Sequence, residues 1–257
     1  MNIKMVVTDL DGTLLREDKT ISARNVTAFA RLREKGIRTV YATGRGKSAV
    51  ELTSAMKFDG AVRNNGASAY IEDEPIYKKL LSADSVRDLL IACDKADVNI
   101  AVECGAQHYA NFNINDLIGE DLLPIQYEII DFSDLNRDAE KLWAIIDSTN
   151  AEKVLDVIKQ NLSDTQYLYA TRDGYALVMH KDATKSKALA SLADHWNIDK
   201  NEIVAFGDDV NDLDLLEYCG IGVATGNAID EVKTVADQVC DTNENDGIAK
   251  WIEENLL

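Results

Sequence analysis

Two carboxylates stand at the end of a short apolar run: Asp9 and Asp11, in Asp9-Leu10-Asp11-Gly12-Thr13, follow Ile3-Lys4-Met5-Val6-Val7-Thr8. Such a run reads as a strand covered on both faces, and in open α/β sheets ligands gather at the carboxyl ends of these strands. On a continuing strand Asp9 and Asp11 share one side of the chain. Carboxylates that close repel each other and favour a hard cation between them, typically Mg2+. A carboxylate beside a metal can also serve as a nucleophile. Taken alone, the five residues read equally as an acidic turn, because Asp-Gly is a common turn dipeptide.

Three more segments supply chemistry that phosphoryl transfer needs. They are Ala42-Thr43-Gly44-Arg45 after the apolar run Ile37 to Tyr41, Lys185 within Ala183-Thr184-Lys185-Ser186-Lys187, and Gly207-Asp208-Asp209-Val210-Asn211-Asp212 after Ile203 to Phe206. The ordered set resembles the haloacid dehalogenase superfamily of phosphohydrolases and is similar in detail to its Cof-type branch of sugar-phosphate and small-phosphate phosphatases. Asn64-Asn65-Gly66-Ala67, Gly226-Asn227-Ala228 and Asp246-Gly247 belong to the same resemblance.

The resemblance implies an Mg2+-dependent phosphatase of small phosphate monoesters that works through an aspartyl-phosphate. Asp9 is the implied nucleophile and Asp11 the general acid and base. Asp at the second position marks the family's phosphatases and mutases, whereas its ATPases carry Thr there. Thr43, Gly44, Arg45, Lys185 and Asn211 are the implied phosphate and substrate ligands. Asp9, the backbone carbonyl of Asp11, Asp208 and Asp212 are the implied metal ligands. Thr13 matches the position that helps fix the turn, and Ser186 stands where the family usually has Gly. Lys187, Asp209 and Asp214 are expected at the surface. A phosphohexomutase, like the phosphomannomutases that resemble this core and cap, is the alternative; it would turn one sugar phosphate into its isomer without releasing phosphate. A binding protein without turnover would not need the charged cluster of Asp9, Asp11, Lys185 and Asp208.

These residues need elements to hold them. Strands alternate with helices over residues 1–80 and 183–257, the pattern of a parallel sheet with helices on both faces. Helices are expected from Ser22 to Gly36, Ser48 to Lys57, Lys187 to Trp196, Val210 to Tyr218, Glu231 to Ala236 and Ile248 to Asn255. A hairpin is expected around Asp73-Glu74-Pro75. The block 81–182 breaks the alternation and contains none of the four motifs. It reads as helices from Ser82 to Lys95 and Ala151 to Asn161, with strands near Val98 to Glu103, Leu142 to Asp147, Tyr167 to Thr171 and Tyr175 to His180. The expected fold is therefore α/β, a Rossmann-like core interrupted by an α+β cap, of the C2B type if the resemblance holds. The polar stretch His108, Tyr109, Asn111 and Asn113 is a place where the cap could face a substrate.

The bulk properties fit a metabolic enzyme. Across 257 residues the formal net charge is −18, which argues against nucleic acid or an anionic membrane as partner, since both reward clustered Lys and Arg. A small phosphorylated metabolite remains suitable if a metal and a few cations reverse the local field. Residues 1–4 run into the first strand without a secretory leader, and no stretch is long enough to span a bilayer, so the expected location is the cytoplasm. Cys93, Cys104, Cys219 and Cys240 lack metal-site spacing and read as reduced thiols. The expected state is a monomer or a small homo-oligomer.

Overall fold

The computed structural model describes residues 2–116, 126–171 and 174–257. Met1 of the opening run, and residues 117–125 and 172–173 of the expected cap block, lie outside them. The chain divides into two compact units, Met1–Lys78 with Thr184–Leu257, and Lys79–Ala183.

The first unit starts with β1 (Met5–Thr8), α1 (Ala23–Glu34), β2 (Arg38–Ala42), α2 (Ser48–Leu52), β3 (Gly60–Arg63), β4 (Ser68–Ile71) and β5 (Glu74–Lys78). The second contains α3 (Ala83–Lys95), β6 (Ala101–Cys104), β7 (Gln107–Ala110), β8 (Tyr127–Ile129), β9 (Lys141–Ile145), α4 (Ala151–Gln160), β10 (Gln166–Ala170) and β11 (Tyr175–His180). The first then resumes with α5 (Lys185–Trp196), β12 (Ile203–Gly207), α6 (Leu213–Tyr218), β13 (Ile221–Ala224), α7 (Asp230–Val235), β14 (Gln238–Val239) and α8 (Gly247–Asn255).

The first unit's sheet has the order β14-β13-β12-β1-β2-β3-β4-β5. Pairing is parallel from β14 to β3 and antiparallel across β4 and β5. Strand alternation sends Val6, Val204 and Phe206 into one core with Phe29, Leu32 and Trp251, and Met5, Val7 and Ala205 into another with Leu189, Leu192 and Leu215. Each large apolar side chain fully withdrawn from water contributes about 1.5–3 kcal/mol. The α/β architecture expected from the sequence is thus present. β2 and β12 flank β1 on opposite sides, so the strand order reverses at β1, the place where open α/β sheets leave a crevice at their carboxyl ends.

Several local features differ from the sequence reading. The helix expected to reach Lys57 stops at Leu52, where Thr53 turns its hydroxyl back to the Ala49 carbonyl at 2.8 Å. The hairpin turns at Glu72 and Asp73, both at positive φ, so that Pro75 joins β5, an edge strand that tolerates a missing donor. The helix expected from Val210 is a 3-10 turn over Val210–Asp212 followed by α6.

In the second unit the sheet order is β10-β11-β9-β6-β7-β8, antiparallel except for the parallel pair β7 and β8. Strands β7 and β8 are short and partly polar and have no strand pattern in the sequence. Leu89 and Leu90 of α3 and Val154 and Ile158 of α4 pack on Val102, Leu142 and Val178. All four cysteines are free. Among the described residues no helix is long and apolar enough to cross a membrane.

Candidate active site

The parallel register brings the motif residues to one edge of the first unit's sheet. Thr8 pairs with Tyr41 of β2 and Phe206 of β12, so Asp9, Thr43 and Asp208 all leave the sheet at its carboxyl end. The Asp9 N–H continues the ladder for one bond, donating to the Phe206 carbonyl at 2.9 Å. Lys185 arrives from another direction, at the first position of α5, whose N-terminus Thr184 caps.

Lys185 is fully buried, 1% exposed. Its ammonium donates to Asp9 Oδ1 at 2.6 Å and to Asp212 Oδ1 at 2.5 Å. The other oxygen of Asp212 accepts the N–H groups of Asp208 and Asp209 at 2.9 and 3.2 Å, which fixes that carboxylate from both sides. Asp208 is steadied by the Thr13 hydroxyl, which donates to its Oδ1 at 2.6 Å. Asp9, Asp208 and Asp212 each present an oxygen within 4.8 Å of the others. Asp209 is half-buried rather than a surface acid. Asp214 likewise has an inward task, accepting the Ser186 N–H at 2.9 Å at the start of α5.

The Asp11 carboxylate is engaged elsewhere. β1 ends at Thr8, and Gly12 at φ +75° turns the chain, so the strand on which Asp9 and Asp11 would have shared a side does not continue. The Asp11 carboxylate is held by a bidentate pair with Arg45, at 2.5 and 2.8 Å, and by Lys19 at 2.8 Å. Lys19 had no signal in the sequence. Its partnership comes from the loop path alone.

The remaining expected ligands form a second group. Thr43 is buried and its hydroxyl accepts the Arg45 N–H at 3.1 Å. Asn65, at φ +52°, donates its N–H to the Thr43 carbonyl at 2.9 Å and accepts from the Asn211 amide at 2.9 Å. Gly44 lies against the same Asn65 side chain, to which a Cβ on Gly44 would come within 3.0 Å. Gly12 and Gly66 are among the glycines that let backbone press on the site. A Cβ on Gly12 would sit 2.3 Å from Asp208 Oδ2, and one on Gly66, at φ +98°, 2.1 Å from the Thr184 carbonyl oxygen. Asn227 secures the Gly12 turn by donating to its carbonyl at 2.7 Å.

Burial dominates the electrostatics. It raises Asp9 well above the usual carboxylate range, with Lys185 opposing and Asp212 and Asp208 adding to the rise. Burial first, then the charge of Asp212, pushes Asp208 up to about 7. Lys185 is raised despite burial, because Asp212 and Asp9 hold its proton. Burial would also raise Asp11, but the hydrogen bonds and charges of Arg45 and Lys19 outweigh it and keep Asp11 low. When all three carboxylates are ionised, the one ammonium leaves two negative charges uncompensated. Clustered carboxylate oxygens with that deficit fit a hard divalent cation.

A pH dependence follows. Asp9 and Asp208 titrate near pH 4 when unfolded, and a raised folded pKa means the fold favours their protonated forms. That stability is complete below about pH 4 and is lost as the pH rises through the folded values. Asp11 has the opposite sign, and its contribution fades only as the pH falls through its lowered value. In chelator, the melting temperature is therefore expected to fall as the pH rises from about 4 to 8. Added Mg2+ should stabilise more at pH 8 than at pH 5. A flat melting curve in chelator would contradict the assignment.

Comparison with known proteins supplies the relatives. A family model described as haloacid dehalogenase-like hydrolase matches residues 6–252. The 5-amino-6-(5-phospho-D-ribitylamino)uracil phosphatase YitU of Bacillus subtilis is 30% identical over 263 residues, covering 97% of this chain and 96% of that protein. A haloacid dehalogenase-like hydrolase from Bacteroides thetaiotaomicron superposes with a TM-score of 0.88 at 26% identity, over 98% of this chain and 99% of that one. The subclass IIB sugar phosphatase BT4131 gives a TM-score of 0.81 at 26% identity, over 98% of both chains.

Proposed function

The chain belongs to the haloacid dehalogenase-like hydrolases, in their Cof-type phosphatase branch, and from that premise we propose that it is an Mg2+-dependent phosphatase of small phosphate monoesters, sugar phosphates or similar metabolites. The set of buried Asp9, Lys185 and Asp212 with half-buried Asp208 carries this reading. A bare cluster of carboxylates would repel a phosphate dianion. Asp9, Asp208 and Asp212 would hold Mg2+, which supplies the positive charge that lets the dianion approach.

The protein's own groups do the rest. A carboxylate oxygen of Asp9 forms a bond to phosphorus as the ester P–O bond breaks, giving an aspartyl-phosphate and an alcohol that takes its proton from Asp11. Water then attacks phosphorus, the bond to Asp9 breaks, and Asp11 receives the water's proton. Arg45 and Lys19 favour ionised Asp11, the form required for the second half. The first half needs protonated Asp11, and therefore needs those contacts loosened. Lys185, with Thr43 and Asn211, would hold the transferring oxygens, and Arg45 would join them once it leaves Asp11. In this division of labour residues 1–80 and 183–257 carry the chemistry and 81–182 select the organic group.

The test is a panel of phosphate esters assayed for released phosphate with Mg2+. The panel includes 5-amino-6-(5-phospho-D-ribitylamino)uracil, the ester for which the Bacillus subtilis relative is named. Turnover is expected to vanish in excess chelator and to return with Mg2+. Full turnover in metal-free buffer, or conversion of a sugar phosphate to its isomer without phosphate release, would overturn the reading.

A further inference from the structure

The loop that follows β1 is built to deliver one lysine. The N–H groups of Leu14 and Leu15 both return to the Leu10 carbonyl, at 3.0 and 2.8 Å, and both side chains are buried. The next turn closes on itself, with the Arg16 N–H donating to the Thr20 carbonyl and the Lys19 N–H to the Arg16 carbonyl, each at 3.0 Å. Asp18 Oδ1 accepts the Thr20 N–H and hydroxyl at 2.9 and 2.6 Å. Distant chain fastens this turn. Arg16 donates to Asp246 Oδ1 at 2.9 Å, the Glu17 N–H to Glu244 Oε1 at 2.7 Å, and the Asn243 amide to the Leu15 carbonyl at 2.9 Å.

Lys19 stands in the turn at φ +64°, a left-handed backbone that glycine adopts more easily than a residue with a side chain. Such a conformation persists where the surroundings over-determine it. Stability does not account for a lysine there, because its pair with Asp11 is half-exposed and ion pairs of that kind contribute little. The two Asp11 oxygens are held unequally. Arg45 Nε donates to Oδ2 at 2.5 Å, whereas Oδ1 receives both Arg45 Nη2 and Lys19 Nζ at 2.8 Å. When Arg45 turns to a phosphoryl group, Lys19 still holds Oδ1 and Oδ2 opens to a proton.

We propose that Lys19 is a positioning residue for the second half of the reaction: it pins Asp11 after Arg45 has moved to the phosphoryl oxygens, leaving Oδ2 free to take the proton of the attacking water. The assignment rests on the phosphatase reading and adds which residue aims its base. An in-line transfer puts the leaving alcohol, and later the entering water, on the far side of phosphorus from Asp9. The base therefore belongs outside the cluster of Asp9, Asp208 and Asp212. A carboxylate standing there alone turns about its side-chain bonds unless a partner that does not bind the phosphate holds it. In the step, the water oxygen bonds to phosphorus and the Asp9 O–P bond breaks, its electron pair returning to the Asp9 carboxylate. The water's proton passes to Asp11 Oδ2, while Lys19 exchanges no proton and keeps its hydrogen bond to Oδ1.

The experiment uses the full-length enzyme with Mg2+ and p-nitrophenyl phosphate, quenched in acid during steady turnover so that intact-mass spectra give the fraction of enzyme carrying phosphate. Dividing kcat by that fraction yields the rate constant for hydrolysis of the aspartyl-phosphate. Lys19→Met is expected to lower this constant about tenfold, and Lys19→Arg to restore it to within about threefold of wild type. The value of kcat/KM should change by less than about threefold in both, because it ends with the loss of nitrophenolate, which leaves without a proton. Added to Asp11→Asn, Lys19→Met should lower hydrolysis no further than about twofold. A hydrolysis constant that rises in Lys19→Met, or stays within about twofold of wild type, overturns the assignment and leaves the phosphatase reading intact. So does a further loss of about tenfold on top of Asp11→Asn, since Lys19 would then act apart from Asp11. A wild type that releases phosphate from no ester, or a complete absence of phosphoenzyme in the wild type and every variant, overturns both.

Discussion

Asp9→Asn is expected to abolish phosphate release without weakening the fold. The amide keeps the shape of the carboxylate but is a poor nucleophile, so a loss of about 10⁴-fold or more in kcat is expected if Asp9 forms the covalent intermediate. Stability should move the other way. Asp9 is 5% exposed and is raised by burial and by two neighbouring carboxylates, so the substitution removes one negative charge from a cluster that has too many. Lys185 keeps its 2.5 Å bond to Asp212. The variant should therefore melt at the same or a higher temperature than wild type in chelator at pH 8, and should gain less from added Mg2+. Turnover near the wild-type rate would exclude aspartyl-phosphate chemistry. A lower melting temperature would mean that the Asp9–Lys185 bond outweighs the crowding of charge.

Lys185→Met should cost activity and stability together. Methionine matches the length and bulk of the lysine stem but leaves Asp9 and Asp212 without their shared cation. Breaking a buried pair by removing one partner typically costs about 3–5 kcal/mol. The measurement is a denaturant midpoint with unchanged slope, read in chelator. Coupling gives a sharper check. In Asp9→Asn/Lys185→Met the second change meets one charge fewer, so the double variant should be more stable than the sum of the single changes predicts. Simple additivity would show that the two groups do not interact energetically, whatever their 2.6 Å separation.

What the sequence made legible follows from where information sits along the chain. Three of the four motifs follow an apolar run, so strand direction alone places Asp9, Thr43 and Asp208 at one sheet edge, while Lys185 comes from the start of a helix. Ser22 and Ser82 start their helices as N-caps, a signal contained within four residues. Other features depend on residues that only the fold brings near. The Asp11-Gly12 turn signal does not tell that Lys19 and Arg45 converge on Asp11. β7 and β8 are short and partly polar and show no lasting alternation. Glu103 and Lys141 meet through register, which a one-residue slip would undo.

Gly12 and Gly66 lead to a different kind of conclusion. At both positions the part touching the site is a Cα hydrogen, placed where any other residue would carry a carbon. A survey that truncates side chains one by one has nothing to remove there and would score both positions as silent. Addition is the informative operation. One methyl group at Gly12 intrudes on Asp208, and one at Gly66 intrudes on the carbonyl just before Lys185, so the spacing of the charged groups depends partly on two atoms too small to appear in a list of functional side chains.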